Sequence, residues 1–197
     1  FIPSDGNMQE RNVSCDLFWD SAFGDALDVP FGELVQKLVE YVEYHRDKPG
    51  SLSDDDICIF FRSFQTLMQQ LAPKRSMEEL ESKENFAKLV AYFGPVLDDN
   101  GNSDTFIESL VDCTCQWFQG FISAIESTHI LMNLRAPEEG HFLIRCSSQE
   151  GCFTLVVKPP TRTTAIYHSR TVKKPDGGFF LQFKGKELEA ASLSKLA

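Results

Sequence analysis

The chain has no apolar run of the roughly 18 residues that a membrane-spanning helix needs. Its first residues, FIPSDGNMQERNVSCD, also lack the basic segment followed by an apolar stretch that marks a secretory signal. We therefore expect a cytoplasmic protein that does not act on a membrane.

Metal-binding and catalytic signatures are missing too. The six cysteines include no CxxC pair, because Cys113 and Cys115 are only two positions apart, and no glycine-rich phosphate loop is present. In a chain of 197 residues without an export signal, we interpret the cysteines as reduced thiols. These absences predict a protein with no metal, no cofactor and no catalytic residue.

Positive charge is scarce and unevenly distributed. The formal net charge of −10 argues against binding to nucleic acid. Residues 1–116 carry nine basic and 22 acidic side chains, whereas residues 117–197 carry ten basic and seven acidic ones. This change from a net −13 to a net +3 indicates two units with different roles, so we place a domain boundary between residues 116 and 117.

The first of these domains, residues 1–116, has the apolar spacing of α-helices. Ser53 with Asp56, and Ser76 with Glu79, are Ser-x-x-acid pairs of the kind that begin helices, and Gly94 is typical of a helix end. The predicted helices lie in VPFGELVQKLVEYVEYHR, SDDDICIFFRSFQTLMQQL, SMEELESKENFAKLVAYF and TFIESLVDCTCQWF.

The second domain, residues 117–197, changes to short β-rich runs separated by turn residues. The predicted strands are HFLIRCS, CFTLVVK, TAIYHSRTV and GGFFLQF, with one helix before them at residues 123–134 and the start of another at SLSKLA. The whole chain is therefore predicted to be α+β, with an all-α N-terminal domain followed by an antiparallel sheet flanked by two helices.

A single arginine, Arg145, interrupts the apolar run GHFLIRCSSQEGCFTLVV. A cation in a buried strand is costly unless a counter-charge arrives, and phosphotyrosine would supply about −1.5 to −2 charges. The segments WFQGFIS, GHFLIRCSS, GCFTLVV, IYHSRT, GGFFL and SLSKLA follow one another in the order of the motifs of SH2 domains. Residues 117–197 thus resemble an SH2 domain, which implies a signalling module that binds a tyrosine-phosphorylated protein or peptide and is not an enzyme.

The resemblance implies a role for individual side chains. Arg145 would bind two phosphate oxygens with its planar guanidinium. Hydroxyls would come from Ser147 and Ser148, although both also suit an ordinary turn. His168 would border the phenol ring, and a structural histidine in the core is the alternative. The residues implied to bind phosphotyrosine are Arg145, Ser147, Ser148, Thr154, His168 and Arg170, and those implied to set peptide specificity are Ser169 and Phe180.

The sequence departs from the family pattern in two informative places. After W-F-x-G-x-I-S the family usually has an arginine that also holds the phosphate, and this chain has Ala124. We predict that Arg170 compensates. Many members have an aromatic residue where this chain has Ser169, so we predict a more open groove that favours aliphatic residues after the phosphotyrosine.

The helical half carries a weaker resemblance. Residues 17–38 look like the EF-hand-like unit that precedes the SH2 domain in Cbl-type proteins, and STAT-type proteins place a helical linker at the same point. The loop DDNGNSDTFIES, residues 98–109, has Ser rather than Glu at its twelfth position and so lacks the bidentate calcium ligand. We expect degenerate, metal-free hands or a helical bundle that acts as a rigid support, with partner domains possible elsewhere in the same protein.

Two other function classes are open at this stage. Cys146 or Cys152 is a conceivable nucleophile with His141 or His168 as its base, although small buried thiols are the simpler interpretation. A calcium-sensing helical domain beside a non-binding SH2-like fold is the other alternative.

Overall fold

The computed structural model describes residues 17–45, 53–73, 76–134, 139–160, 165–174, 178–183, 185–191 and 193–196. The chain divides into two compact units, Phe1–Thr114 and Cys115–Ala197. Within the described ranges, no helix is long and apolar enough to cross a membrane.

The first unit is built mainly from helices. Its elements, in chain order, are α1 (17–23), β1 (Asp28–Pro30), α2 (Phe31–Tyr44), α3 (Asp54–Leu71), β2 (Leu80–Ser82), α4 (Lys83–Phe93), α5 (Asp104–Val111) and a 3₁₀ turn (Asp112–Thr114).

Two short strands link the helices of the first unit, where the sequence predicted helices alone. β1 and β2 pair in antiparallel fashion, with Val29 opposite Glu81. The backbone N–H of Lys83 donates to Leu27 O, and that of Phe31 donates to Glu79 O. The unit therefore consists largely of two helix–strand–helix segments, α1–β1–α2 and α3–β2–α4, which are joined through their connecting strands.

The predicted helix starts are right in one case and wrong in the other. Ser53 and Asp56 form a complete capping box at the start of α3, as predicted. The helix predicted to begin at Ser76 instead begins at Lys83, where the Ser82 side chain accepts from the backbone N–H of Asn85. The reason is tertiary, since residues 80–82 pair with β1 and cannot be helical at the same time.

Aromatic side chains fill the core of the first unit. Phe60 and Phe106 are fully buried and meet edge to face at a centroid distance of 5.9 Å. Trp19 is also fully buried, and its indole N–H donates to Ala26 O at 2.6 Å, so the loop after α1 is fixed to the core. The apolar helix faces that the sequence predicted do supply this core: the fully buried set also includes Phe31, Leu34, Leu38, Phe64, Met68, Phe86 and Leu89.

The second unit is an antiparallel sheet with a helix at each end of its sequence. Its elements are α6 (Ala124–Asn133), β3 (His141–Cys146), β4 (Phe153–Lys158), β5 (Tyr167–Lys173), β6 (Phe179–Phe183), β7 (Lys186–Ala190) and α7 (Leu193–Leu196). The strand order is β3-β4-β5-β6-β7. The predicted α+β fold is thus confirmed, although β7, whose residues are mostly charged and exposed, was not predicted.

The strand that carries Arg145 is held on both sides. β4 pairs with one edge of β3, and residues 117–120 run along the other, where Ile144 N donates to Trp117 O and Cys146 N donates to Gly120 O. Gly140 precedes β3 with a φ of +67°, and a Cβ there would lie 3.0 Å from Pro160 Cδ. Glycine is required at this turn, and β3 begins at the next residue, His141, four residues before Arg145.

Candidate functional site

The strand register places three polar side chains in one row across the sheet. Arg145 of β3 lies opposite Thr154 of β4, and Thr154 lies opposite Arg170 of β5. Residues opposite one another on neighbouring strands point to the same face, so the two cations stand on either side of one threonine. The next row on this face contains Val156 opposite His168.

Helix α6 packs on the same face. Leu131 of α6 forms a buried apolar cluster with Leu143 and Val156, and Ile130 and Ile166 pack against it. A Ser123–Glu126 capping box fixes the start of the helix. The polar row of Arg145, Thr154 and Arg170 therefore lies next to an apolar cluster that holds the helix on the sheet.

Arg145 is a buried cation, only 9% exposed. One of its terminal nitrogens, Nη1, donates to the carbonyl oxygen of the next residue, Cys146, at 2.9 Å. The pKa of His168 on β5 is lowered by partial burial and, to a smaller extent, by the positive charge of Arg145. A planar guanidinium has the geometry to bind two oxygens of an anion.

The loop between β3 and β4 carries the two predicted serines in different environments. Ser147 is buried; its N–H donates to Cys152 O, and its Oγ accepts from Gln149 N at 3.3 Å. Ser148 is exposed at the loop surface. The loop begins after Cys146, the residue that follows Arg145, so both serines are close to Arg145 in sequence. Of the two, Ser147 is the one held by hydrogen bonds within the loop.

Arg170 is exposed and is bonded to this loop. Its Nη1 donates to the Gln149 side-chain carbonyl at 2.6 Å. Because arginine only donates, the amide atom of Gln149 that faces it must be oxygen.

His168 lies between the sheet and α6. Its Nε2 is 3.1 Å from the hydroxyl oxygen of Thr128. Partial burial first, and the charge of Arg145 second, lower the pKa of His168. The histidine is therefore weighted towards its neutral form, although much of its side chain is exposed.

The two residues predicted to set peptide specificity lie on opposite faces of the sheet. Ser169 is opposite Leu155, on the face away from Arg145. Phe180 is opposite Val172 and Glu189, in register with the face that carries Arg170. The structure thus brings Arg145, Thr154, His168 and Arg170 to one face, and it does not bring Ser169 and Phe180 together.

Three residues that support this sheet face and helix α6 were not predicted from the sequence. Gln149 and Thr128 hold Arg170 and His168, as described above. Lys158 is buried on β4, and its ammonium donates to Leu131 O at 2.9 Å and to Leu134 O at 3.4 Å, at the end of α6. An isolated lysine that ends an apolar strand, as in CFTLVVK, is the signal that was available for Lys158.

The two cysteines that the sequence offered as nucleophiles lie in the interior of the SH2-like unit. Cys146 and Cys152 are buried. Burial raises the pKa of the Cys146 thiol well above its usual value, and the charge of Arg145 opposes this less strongly. A thiol in this state is a poor nucleophile. The five cysteines within the described ranges form no disulfide bond: Cys58, Cys113, Cys115, Cys146 and Cys152.

A comparison with known families decides what this second unit is. The family model described as "SH2 domain" matches residues 117–196. Residues 117–196 are an SH2 domain. SH2 domains in general bind tyrosine-phosphorylated peptides, so the buried arginine and its row belong to a phosphotyrosine-binding type of module.

Curated relatives of the chain are kinases. It is 30% identical over 174 residues to the dual specificity protein kinase shkA of Dictyostelium discoideum, which covers 83% of this chain and 32% of that protein. It is 30% identical over 147 residues to shkC of the same organism, which covers 70% of this chain and 27% of that protein. The chain thus spans about a third or less of these relatives, and the likeness extends beyond the SH2 domain.

Solved structures with the same fold include the C-domain of the T. vaginalis Inr binding protein, IBP39. Its cubic crystal form matches with a TM-score of 0.59 and 19% identity, covering 98% of this chain and 89% of that one. The tetragonal form matches with a TM-score of 0.56 and 17% identity, covering 98% of this chain and 86% of that one. At this level of identity the similarity shows the fold alone.

Proposed function

We propose that the SH2 domain binds a tyrosine-phosphorylated segment of a protein through Arg145. The observation that carries this proposal is the row formed by Arg145, Thr154 and Arg170, in which two guanidinium groups share one sheet face with a hydroxyl between them. A phosphate dianion has three acceptor oxygens, and each charge-assisted hydrogen bond contributes about 1.5–3 kcal/mol. Ser147 and Ser148 would complete the donors from the adjoining loop.

Arg170 takes the place of the arginine that this chain lacks at Ala124. Ala124 is exposed at the first position of α6 and has nothing with which to hold a phosphate. Arg170 is on the same sheet face as Arg145 and is oriented by Gln149, so it can supply the second cation without a residue from the helix.

The opposite sheet face would read the residues that follow the phosphotyrosine. Ser169 is partly exposed there, next to the apolar side chain of Leu155. A small hydroxyl beside an apolar surface leaves room for an aliphatic side chain. We expect Val, Ile or Leu to be preferred over charged residues in that part of the peptide. Phe180 lies on the other sheet face, between β5 and β7, and would contribute to specificity from there.

The helical unit is proposed to be an EF-hand-like structural support that needs no metal. Its two helix–strand–helix segments, joined by β1–β2, support the EF-hand-like part of this proposal. Lys83, the first residue of α4, donates to Asp20 of α1 at 2.9 Å, so an ion pair joins the two segments. Among the residues that the structure describes, no group of three or more His, Cys, Asp and Glu side chains could hold a metal ion. Calorimetric titration with calcium tests this, and binding in the micromolar range would favour a calcium sensor instead.

At the level of the whole protein, we propose that this chain recruits a larger signalling protein to phosphorylated sites. Two of its curated relatives are named as dual specificity protein kinases, of which the chain covers about a third or less. The chain would then act as the targeting part of such a protein in the cytoplasm.

Fluorescence polarisation with a degenerate phosphotyrosine peptide library tests the proposed function. The wild-type protein is compared with Arg145→Ala and with Arg62→Ala, which removes an exposed arginine of α3 as a matched control for charge. We expect binding by the wild type and the control, a loss of at least about tenfold in Arg145→Ala, and no binding of phosphoserine or unphosphorylated peptides. Equal binding by all three proteins would refute the role of Arg145.

A further inference from the structure

The contact between α6 and β5 joins a hydroxyl to a histidine. Thr128 Oγ1 and His168 Nε2 are 3.1 Å apart, although the two residues are 40 positions apart in the sequence. A hydroxyl both donates and accepts, whereas a histidine nitrogen accepts when it carries no proton and donates when it does. The same contact can therefore persist whether His168 is neutral or protonated, with donor and acceptor exchanged.

Binding of an anion would offset the positive charges that surround His168. The positive side chains on its sheet face include Arg145 on β3, Arg170 on β5 itself, and Lys158 on β4, whose ammonium is directed at carbonyls of α6. Of the other titratable or charged groups of these elements, His141 lies on the same face of β3, and Glu126 and His129 belong to α6; Cys146 of β3, and Tyr167 and Lys173 of β5, are in register with the opposite face. In the free domain, partial burial and Arg145 lower the pKa of His168. A phosphate dianion between the two arginines offsets their field, which raises that pKa in the complex.

We propose that Thr128 is a positioning residue of the phosphotyrosine site that holds His168 in both protonation states, so that binding of a phosphorylated peptide is coupled to proton uptake by His168. This inference rests on the proposed function. Thr128 acts through the imidazole and need not touch the peptide itself.

The sign of the coupling follows from the two pKa values of His168. The pKa is lowered in the free domain and raised by the bound anion, so between these two values binding takes up a proton. Affinity therefore increases as the pH falls through the higher value, and the gain is complete below the lower one. Phosphotyrosine itself begins to lose its second charge near about pH 6, which acts in the opposite direction. For this reason, the coupling is measured as the ratio of the peptide affinity of the wild type to that of a variant without the imidazole.

Isothermal titration calorimetry of one phosphotyrosine peptide, taken from the library screen, tests the coupling. Titrations at pH 7 in buffers of low and high ionisation enthalpy give the number of protons taken up. We expect uptake of a fraction of a proton by the wild type and less by His168→Gln. The affinity ratio of wild type to His168→Gln is expected to rise as the pH is lowered from about 7.5 to about 6.5.

Substitutions at Thr128 separate positioning from a general structural effect. Thr128→Val keeps nearly the same shape but removes the hydroxyl, and we expect about threefold to tenfold weaker binding together with reduced proton uptake. Thr128→Ser retains a hydroxyl, and we expect it to have the affinity and the proton uptake of the wild type. A purely structural residue would lower the melting temperature and affinity without changing the proton count.

The outcomes distinguish this inference from the function on which it rests. If the wild type binds and Arg145→Ala does not, but Thr128→Val matches the wild type in affinity and proton uptake, the coupling is refuted and the proposed function stands. If neither the wild type nor Arg145→Ala binds any phosphotyrosine peptide, both are refuted. NMR titration of the His168 ring in the free domain adds a test without ligand, because Thr128→Val should shift its pKa and Thr128→Ser should not.

Discussion

Arg170 and Gln149 form a direct link between strand β5 and the loop that follows Arg145, with 2.6 Å between Arg170 Nη1 and Gln149 Oε1. Because that loop carries Ser147 and Ser148, the link connects the proposed second cation to both predicted hydroxyl donors. It also makes Gln149 a position at which the charge of the site can be changed without touching Arg145.

A carboxylate at Gln149 is expected to weaken phosphopeptide binding. In Gln149→Glu the new negative charge would pair with Arg170 and repel the phosphate, and we expect affinity to fall by about tenfold or more at low salt. Fluorescence polarisation at two ionic strengths measures this, with Gln149→Ala as the control for loss of the amide alone. Equal affinities in Gln149→Glu and wild type would show that Arg170 does not take part in binding.

An arginine at position 124 is expected to strengthen binding. Ala124 is exposed at the start of α6, where related SH2 domains usually have an arginine, so Ala124→Arg would add a third cation to the site. We expect a gain in affinity of about threefold to tenfold, and a partial rescue of Arg170→Ala by the same change. Ala124→Gln is the uncharged control, and an Arg170→Ala defect that Ala124→Arg leaves untouched would contradict the compensation between these positions.

Loss of the buried ammonium of Lys158 is expected to destabilise the SH2 domain. In Lys158→Met two carbonyls at the end of α6, those of Leu131 and Leu134, lose their donor. We expect the free energy of unfolding to fall by about 1–3 kcal/mol. Urea denaturation provides the measurement, and Lys186→Met, at an exposed position of β7, is the matched control. A change of less than about 0.5 kcal/mol would mean that relief of lysine burial balances the lost hydrogen bonds.

The sequence was most informative where local chemistry decides the structure. The Ser53–Asp56 pair begins a helix in the predicted place, and the strand that carries Arg145 also lies where the sequence predicted it. Such features depend on residues that are close in the chain. Ser76 is the exception: its helix-start pattern does not begin a helix, because residues 80–82 pair with β1 instead.

Contacts between distant residues explain what was missed. Thr128 meets His168 across 40 positions, and Gln149 meets Arg170 across 21. Neither spacing produces a periodic pattern, and neither threonine nor glutamine is unusual at a surface. Only the sheet register and the placement of α6 bring these side chains together, so they could not be recognised before the fold was known.

The central claim, that Arg145 binds the phosphate, is tested most directly by observing its own side chain. In protein labelled with ¹⁵N-arginine, the Nε–H resonance of Arg145 is identified by its absence in Arg145→Lys and is followed during titration with phosphotyrosine peptide. We predict a large, saturable shift of this resonance, with that of Arg62 unchanged. A peptide that binds while the Arg145 resonance stays in place would contradict the account.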